Sequence, residues 1–346
     1  MENIIITYNA GSSNIKISLF NADSMERVEN VRLNNQKEAF DWLTSVSKED
    51  TGRNILAVGH RVVHGGDKFI APQIIDEKII SELEKFIPLA PLHQPASIEA
   101  IKKMKELFPK IPHIACFDTA FHHTIIDVEK RFAIPREYHD KGVRRYGFHG
   151  LSYEHIISVL PEYIGDLADE RVIVAHLGGG SSICAICDKK SIGISMGFST
   201  LDGLMMSSRC GSLDAGVVLH MMEQENMTAR EISDMLYHKS GCLGVSGGLS
   251  ADMKELIIKG TKEAIEAIDL YSYIAAKKLA SLLPSIGGID VLVFTGGIGE
   301  NSDVIRQRIC SYLSWVDDVP VYVIPTDEES VIARACADIT GLRAAV

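Results

Sequence analysis

No stretch of the 346 residues approaches 18 consecutive apolar positions, so no membrane-spanning helix is expected. The Met-Glu-Asn start has none of the basic n-region of a secretory leader. Positive charge is in short supply: 35 Lys and Arg stand against 46 Asp and Glu, a formal charge of −11, and basic residues are scattered apart from Arg144-Arg145. That balance argues against nucleic acid or an anionic membrane as the main partner. Cysteine is odd in number, at seven, and lacks framework spacing, which suits a reducing compartment. A soluble, cytoplasmic protein is therefore expected. Two common phosphate fingerprints are missing as well. No G-x-x-x-x-G-K-[ST] occurs, and no G-x-G-x-x-G joins a strand to a helix, so P-loop and Rossmann readings lose their main support.

What the chain has instead is glycine at the ends of apolar runs. Val172-Ile-Val-Ala-His-Leu-Gly-Gly-Gly-Ser-Ser182 runs into Ile183-Cys-Ala-Ile-Cys187, which reads as strand, tight turn, strand. Such a turn brings backbone N–H groups and hydroxyls together and can hold phosphate oxygens without a lysine. The pattern occurs twice. Ile4-Ile-Ile-Thr-Tyr-Asn-Ala-Gly-Ser-Ser13 is followed by the alternating Ile15-Lys-Ile-Ser-Leu-Phe20, about half a chain earlier. Two like hairpins at that spacing predict a duplicated α/β domain with a phosphate-holding turn in each half. A third junction, Val291-Leu-Val-Phe-Thr-Gly-Gly-Ile-Gly-Glu-Asn301, reads as strand and glycine turn. Length and apolar content allow two cores, divided here as 1–150 and 151–346, with the terminal helix free to return to the first.

Between these hairpins a few residues stand out. Arg61 is a charge inside the apolar run Asn54–Gly66, where it needs a structural carboxylate or an anionic ligand. Asp118 ends a short strand, the place where open α/β sheets put their chemistry. His122 and His123 read as loop histidines rather than metal ligands, and Cys184 and Cys187 as small core residues on opposite strand faces. Ser97 is the expected N-cap of a helix over Ile98–Leu107. Helices are also expected from about Ser152, over Val217–Gln224, Ala229–His238 and Thr261–Leu283, and after Asp252-Met-Lys and Thr326-Asp-Glu-Glu. Arg144–Gly150 reads as a compact loop carrying cation, aromatic and imidazole, or a plain surface turn, Ser195–Gly216 as too ordered in pattern to be a linker, and Ser240–Ser250 as another glycine- and serine-rich loop.

Taken in order, Asn9-Ala-Gly-Ser-Ser, His60-Arg-Val-Val-His-Gly-Gly, Ala90-Pro-Leu-His, Phe117-Asp-Thr-Ala-Phe-His, Tyr146-Gly-Phe-His-Gly, His176-Leu-Gly-x-Gly-Ser-Ser, Ser208-Arg-Cys-Gly, Gly297-Ile-Gly-Glu-Asn and Pro325-Thr-x-Glu-Glu resemble the acetate kinases over nearly the whole chain. The resemblance implies a duplicated actin-like fold and reversible in-line phosphorylation of acetate to acetyl phosphate in an interdomain cleft. It also implies ATP/ADP with Mg²⁺ (or Mn²⁺), and a homodimer through the C-terminal half. Asp118, His149 and Arg209 match the catalytic positions, and Arg61 the carboxylate-binding arginine. Val63, Leu92, Phe148 and Thr200 match the acyl pocket, and Asn9 and Glu328 the magnesium-associated positions. Lys16, the run His176, Leu177, Gly178, Gly179 and Gly180, the run Asp252, Met253 and Lys254, and the run Gly297, Ile298, Gly299, Glu300 and Asn301 match nucleotide-binding segments.

The chain also departs from that pattern. Gly179 stands where asparagine is usual, Asn14 where serine is, Lys254 where arginine is, and Thr200 where proline is. It is shorter by several dozen residues, mainly between residue 20 and Arg61 and between Asn301 and Val321. A short-chain acyl kinase preferring propionate, or a nucleotide-binding relative without turnover, are the alternatives to an acetate kinase.

Overall fold

Strand β1 (Glu2–Ala10) alternates its side chains so that Ile4, Ile6 and Tyr8 enter one core while Ile5 enters another. A strand buried on both faces sits at the centre of a sheet, and the computed structural model places it there. Residues 1–11, 14–48, 52–91, 93–316 and 319–342 are described. β1 pairs antiparallel with β2 (Ile15–Asn21), which pairs with β3 (Arg27–Leu33). On its other side β1 runs parallel to β4 (Arg53–Val62). β5 (Gln73–Ile74) and β6 (His113–Phe117) complete a sheet of order β3-β2-β1-β4-β6-β5. The helices Gln36–Val46 and Gln94–Leu107 supply Ala39, Leu43, Ala100 and Met104 to the Ile4 core. The terminal helix Glu328–Thr340 supplies Ile332, Ala333 and Cys336 to the Ile5 core.

The second sheet repeats the plan. β7 (Val172–Leu177), β8 (Ser181–Cys187) and β9 (Lys190–Ile194) form an antiparallel meander. β10 (Val291–Thr295) and β11 (Val321–Val323) add parallel strands, for an order of β11-β10-β7-β8-β9. In both sheets a hairpin leads an antiparallel meander, as the duplicated sequence pattern predicts, and parallel strands add on its other side, with β5 closing the first sheet antiparallel to β6. The helix Lys262–Ile286, N-capped by Thr261, packs Ala264, Ala267, Tyr271 and Ala275 against Ile173, Ala175 and Ile183. Small residues at this seam let helix and sheet approach closely.

The chain divides into two compact units. Unit 1 comprises Met1–His123, Phe148–His155 and Asp327–Val346, and unit 2 comprises Thr124–Gly147 and Ile156–Thr326. The terminal helix returns to the first unit as expected, while Phe148–His155, which brings Leu151 to the Ile5 core, also belongs there and Thr124–Gly147 belongs to the second, so the boundary is not a single break at 150.

Two local expectations are corrected. Helix Gln94–Leu107 begins before Ser97: Pro95 takes the first turn, where its missing N–H costs nothing, and Ser97 lies inside, its Oγ donating to the His93 carbonyl at 3.2 Å. Gly296–Asn301 is a short helix, not a turn, and a further short helix, Gly241–Val245, sits within the glycine-rich loop after Ser240. Among the described residues no helix is long and apolar enough to cross a membrane.

Candidate active site

In unit 1 the parallel pairing of β4 with β6 sets Arg61 beside the strand end that carries Asp118. The Asp118 N–H extends the ladder by donating to the Val62 carbonyl at 3.0 Å. Arg61 donates from Nε to both carboxylate oxygens of Asp118, at 3.1 and 3.0 Å, and from Nη2 to Oδ2 at 2.6 Å. Its remaining Nη1 donates to Asn9 Oδ1 at 3.0 Å. Asn9, at the end of β1, passes the network on: Nδ2 donates to Glu328 Oε2 at 2.8 Å and Glu329 Oε1 at 2.6 Å. Lys16 Nζ lies 3.7 Å from that same Glu329 oxygen.

The Asp118 side chain is 1% exposed and that of Arg61 12%. Burial pushes the Asp118 carboxyl up to about 6, against the opposing pull of the Arg61 charge. Burial alone would lower Arg61, but Asp118, Glu328 and Glu329 outweigh it and hold the guanidinium charged. Buried charges paired in this way are costly to keep, so the cluster signals function more than stability.

His149 lies next to this pair through the backbone. Its N–H hydrogen-bonds the Asp118 carboxylate, and its φ of +61° puts a non-glycine residue in left-handed space. Gly150 follows because a Cβ there would sit 2.2 Å from the Asp118 carbonyl oxygen, to which Gly150 N donates at 2.8 Å. Val63 and Phe148 are both buried. The His64 ring stands edge-on to Phe148, 5.6 Å between centroids, and stacks on Phe86. Leu92, the other expected pocket wall of unit 1, lies outside the described residues.

Unit 2 carries the glycine turns. Gly178 N donates to Ser181 Oγ at 3.2 Å, and that hydroxyl lies 3.0 Å from the buried Tyr271 hydroxyl, which pins the start of β8. Gly179 accepts from Ser207 N, and His176 pairs with Thr295 across β7 and β10. Gly296 adopts a φ of +78°, and a Cβ there would lie 2.7 Å from the Leu177 oxygen, so only glycine lets β10 turn beside β7. Asn301 Nδ2 donates to the Gly297 carbonyl at 2.9 Å. Arg306 Nη1 donates to the carbonyl oxygens of Gly299 and Glu300, at 2.6 and 2.9 Å. Gly297 is exposed, Ile298 half-buried and Gly299 buried.

Asp252 caps the helix Met253–Lys259 through Glu255 N at 3.0 Å. Met253 faces the core, and Lys254 is exposed. Arg209 is buried in the irregular segment between β9 and helix Ala215–Glu223, its Nη1 donating to the Thr200 carbonyl at 3.0 Å.

Among the expected residues, unit 1 therefore gathers Asn9, Lys16, Arg61, Asp118, His149 and Glu328 around one charged network, and unit 2 gathers the remaining glycine turns with Arg209 and Thr200. Lys16 reaches the carboxylate network rather than a glycine turn. Glu329 was not anticipated, although two adjacent acids at a helix start were visible; sequence alone does not tell which one faces inward, and both do. His122 donates from Nε2 to the Phe148 carbonyl at 2.9 Å, which makes it structural. Among the described residues no group of three or more His, Cys, Asp or Glu is arranged to cage a metal. A hard cation such as Mg²⁺ takes oxygen donors, one or two of them carboxylates, and keeps several waters in its shell. Glu328 and Glu329, bridged by Asn9, fit that role.

Comparison with known proteins shows the family. The family model described as the acetokinase family matches residues 26–317. An acetate kinase of Rhodopseudomonas palustris is 42% identical, covering 96% of this chain and 98% of the relative. One from Rickettsia typhi is 40% identical at the same coverage. Among solved structures, a propionate kinase from Francisella tularensis superposes with a TM-score of 0.89 at 33% identity, covering 97% of this chain and 99% of that one. The acetate kinase of Porphyromonas gingivalis gives 0.86 at 34% identity, covering 98% and 100%. Near-full-length likeness of sequence and fold, with a buried Arg–Asp–Asn–Glu network and paired glycine hairpins, leaves one conclusion: the chain belongs to the acetokinase family.

Proposed function

We propose that the chain catalyses ATP + acetate ⇌ ADP + acetyl phosphate. Family membership makes it a kinase, a phosphotransferase; the carboxylate acceptor is our reading. The observation that carries it is the buried Arg61, a planar cation held in place by Asp118 and Asn9, suited to a carboxylate ligand. An acetate oxygen attacks the γ-phosphorus, the bond to the β,γ-bridging oxygen breaks, and ADP leaves with that electron pair. Acetate is already ionised at neutral pH, so no base is needed to remove a proton. Asp118 instead orients Arg61. His149 and Arg209 offset the charge spread over the transferred group, and the glycine turns of unit 2 hold the nucleotide phosphates. Mg²⁺, or Mn²⁺ in its place, would be held by Glu328 with Glu329 and Asn9, and supplies phosphate charge neutralisation when bound.

A propionate-preferring enzyme is the second reading, favoured by the likeness to the Francisella tularensis propionate kinase and by Thr200 at a pocket position. We also propose a homodimer, because helix Ala215–Glu223 buries none of its residues and exposes Val217, Leu219 and Met222. A cytoplasmic location is supported by seven free thiols. Incubation with Mg·ATP, acetate and hydroxylamine tests the main reading. Acetate-dependent acetohydroxamate is expected, and ATP turnover without it would refute the assignment.

A further inference from the structure

Glu300 lies in a segment that resembles a nucleotide-binding one, yet a carboxylate there would face like-charged phosphates unless its charge were engaged. The structure engages it. Glu300 Oε1 accepts from Gly296 N at 2.9 Å and from Thr326 N at 3.0 Å. Gly296 opens the turn after β10. Thr326 follows β11 and directly precedes Asp327, Glu328 and Glu329, and the chain passes from unit 2 to unit 1 between Thr326 and Asp327. The last ladder bond of the two strands is Ile324 N to the Phe294 carbonyl, at 3.0 Å. Beyond it, one carboxylate oxygen carries on the pairing that the backbones no longer make for themselves. Arg306, which also pairs with Asp303, holds the Glu300 carbonyl oxygen, so the residue is fixed at both backbone and side chain.

We propose that Glu300 is a positioning residue, not a nucleotide ligand: it ties the nucleotide turn at Gly296 to the segment that carries the metal-associated carboxylates. Filling the turn with phosphate then sets where the Glu328 segment begins. This rests on the kinase reading above, and it differs from simple helix capping, which would need the Gly296 bond alone. Partners that orient metal ligands from outside the coordination shell alter metal affinity by about 10–100-fold when removed.

The test uses the full chain and two titrations that need no turnover: ADP binding without metal, by calorimetry, and Mn²⁺ binding in the presence of ADP, by the electron paramagnetic resonance of free Mn²⁺. Glu300→Ala should weaken Mn²⁺ binding with ADP by about tenfold and change metal-free ADP affinity by less than about threefold. Glu300→Gln keeps an acceptor oxygen and should restore both. Thr326→Pro removes the other donor and should reproduce the Mn²⁺ loss, which keeps the test open if Glu300→Ala does not fold. Loss of ADP affinity with Mn²⁺ binding unchanged, no change in either, or Glu300→Gln behaving as Glu300→Ala would each overturn the proposal. A parent that binds ADP and Mn²⁺ but does not phosphorylate acetate would remove the assigned reaction and leave the tie standing.

Discussion

Arg61 and Asp118 face each other across the parallel β4–β6 pair, three hydrogen bonds joining guanidinium and carboxylate in a nearly dry site. Breaking such a pair from one side strands a buried charge, at about 3–5 kcal/mol. Asp118→Leu should therefore lower stability by that order and abolish most activity. The double variant Arg61→Leu/Asp118→Leu should regain much of the stability but none of the turnover. Urea unfolding of the three proteins, with activity alongside, checks this; recovery of activity in the double variant would contradict the assigned roles.

Arg209 sits in a braced loop, tied to the Thr200 carbonyl. Removing one stabiliser of developing charge costs on the order of 10²–10³ in kcat. Arg209→Ala should show that loss while ATP affinity, measured by calorimetry, stays within about threefold. Turnover within a few-fold of the parent would rule Arg209 out of the chemistry.

Several histidines of unit 1 are buried neutral. Burial lowers His64 and His122 to about 4, and lowers His60 and His113 as well. His113 donates from Nε2 to the Phe108 carbonyl and so accepts from His60 at Nδ1, 2.9 Å away. Because the folded pKa is depressed, the unfolded chain takes up these protons first, near 6.5. The stability they contribute is present above that value and lost as pH falls toward 4. Asp118, raised by burial, acts in the opposite sense but is one group against four. Between pH 7 and 5 His64 and His122 should each cost roughly 2 kcal/mol. His122→Gln keeps an N–H donor without the titration and should flatten the decline by that amount. Urea midpoints across the range measure it; an unchanged slope would show that His122 is not the group responsible.

Thr200 is expected to set acyl selectivity. Threonine leaves φ free and can rotate at χ1, where proline would do neither. An extra methylene gains about 0.8 kcal/mol if accommodated. Propionate should then be used within roughly tenfold of acetate, a span of about 1.4 kcal/mol. Thr200→Pro, which retains the carbonyl that Arg209 grips, should widen the preference for acetate. A parent kcat/KM ratio above about a hundred, or one unmoved by proline, would dismiss Thr200 as the determinant.

Much of this was legible in the residues. Alternating β-branched runs ending in glycine marked β1–β2 and β7–β8, because the two-residue period of a strand and a glycine-rich stop leave direct traces in sequence. Arg61 stood out as a charge in an apolar strand, but its partner is 57 positions away, and only the parallel register of β4 with β6 brings them together. Gly296–Asn301 looked like a turn because glycine disfavours helix; the Glu300 and Asn301 side chains bond back to Gly296 and Gly297 and support one. Ser97 is a plausible cap by residue type, yet the helix starts at Gln94 with Pro95 in its first turn. Glu329 escaped notice because its inward direction depends on Asn9, at the opposite end of the chain.

Oxygen-18 transfer reports the chemistry most directly. With both carboxylate oxygens of acetate labelled and Mg·ATP supplied, the acetyl phosphate formed is cleaved by hydroxylamine at carbon, which leaves the bridging oxygen on phosphate. Attack by the acetate carboxylate on the γ-phosphorus requires that the phosphate released carry one labelled oxygen. Unlabelled phosphate, produced by water at the γ-phosphorus, would contradict phosphoryl transfer to a carboxylate by this chain.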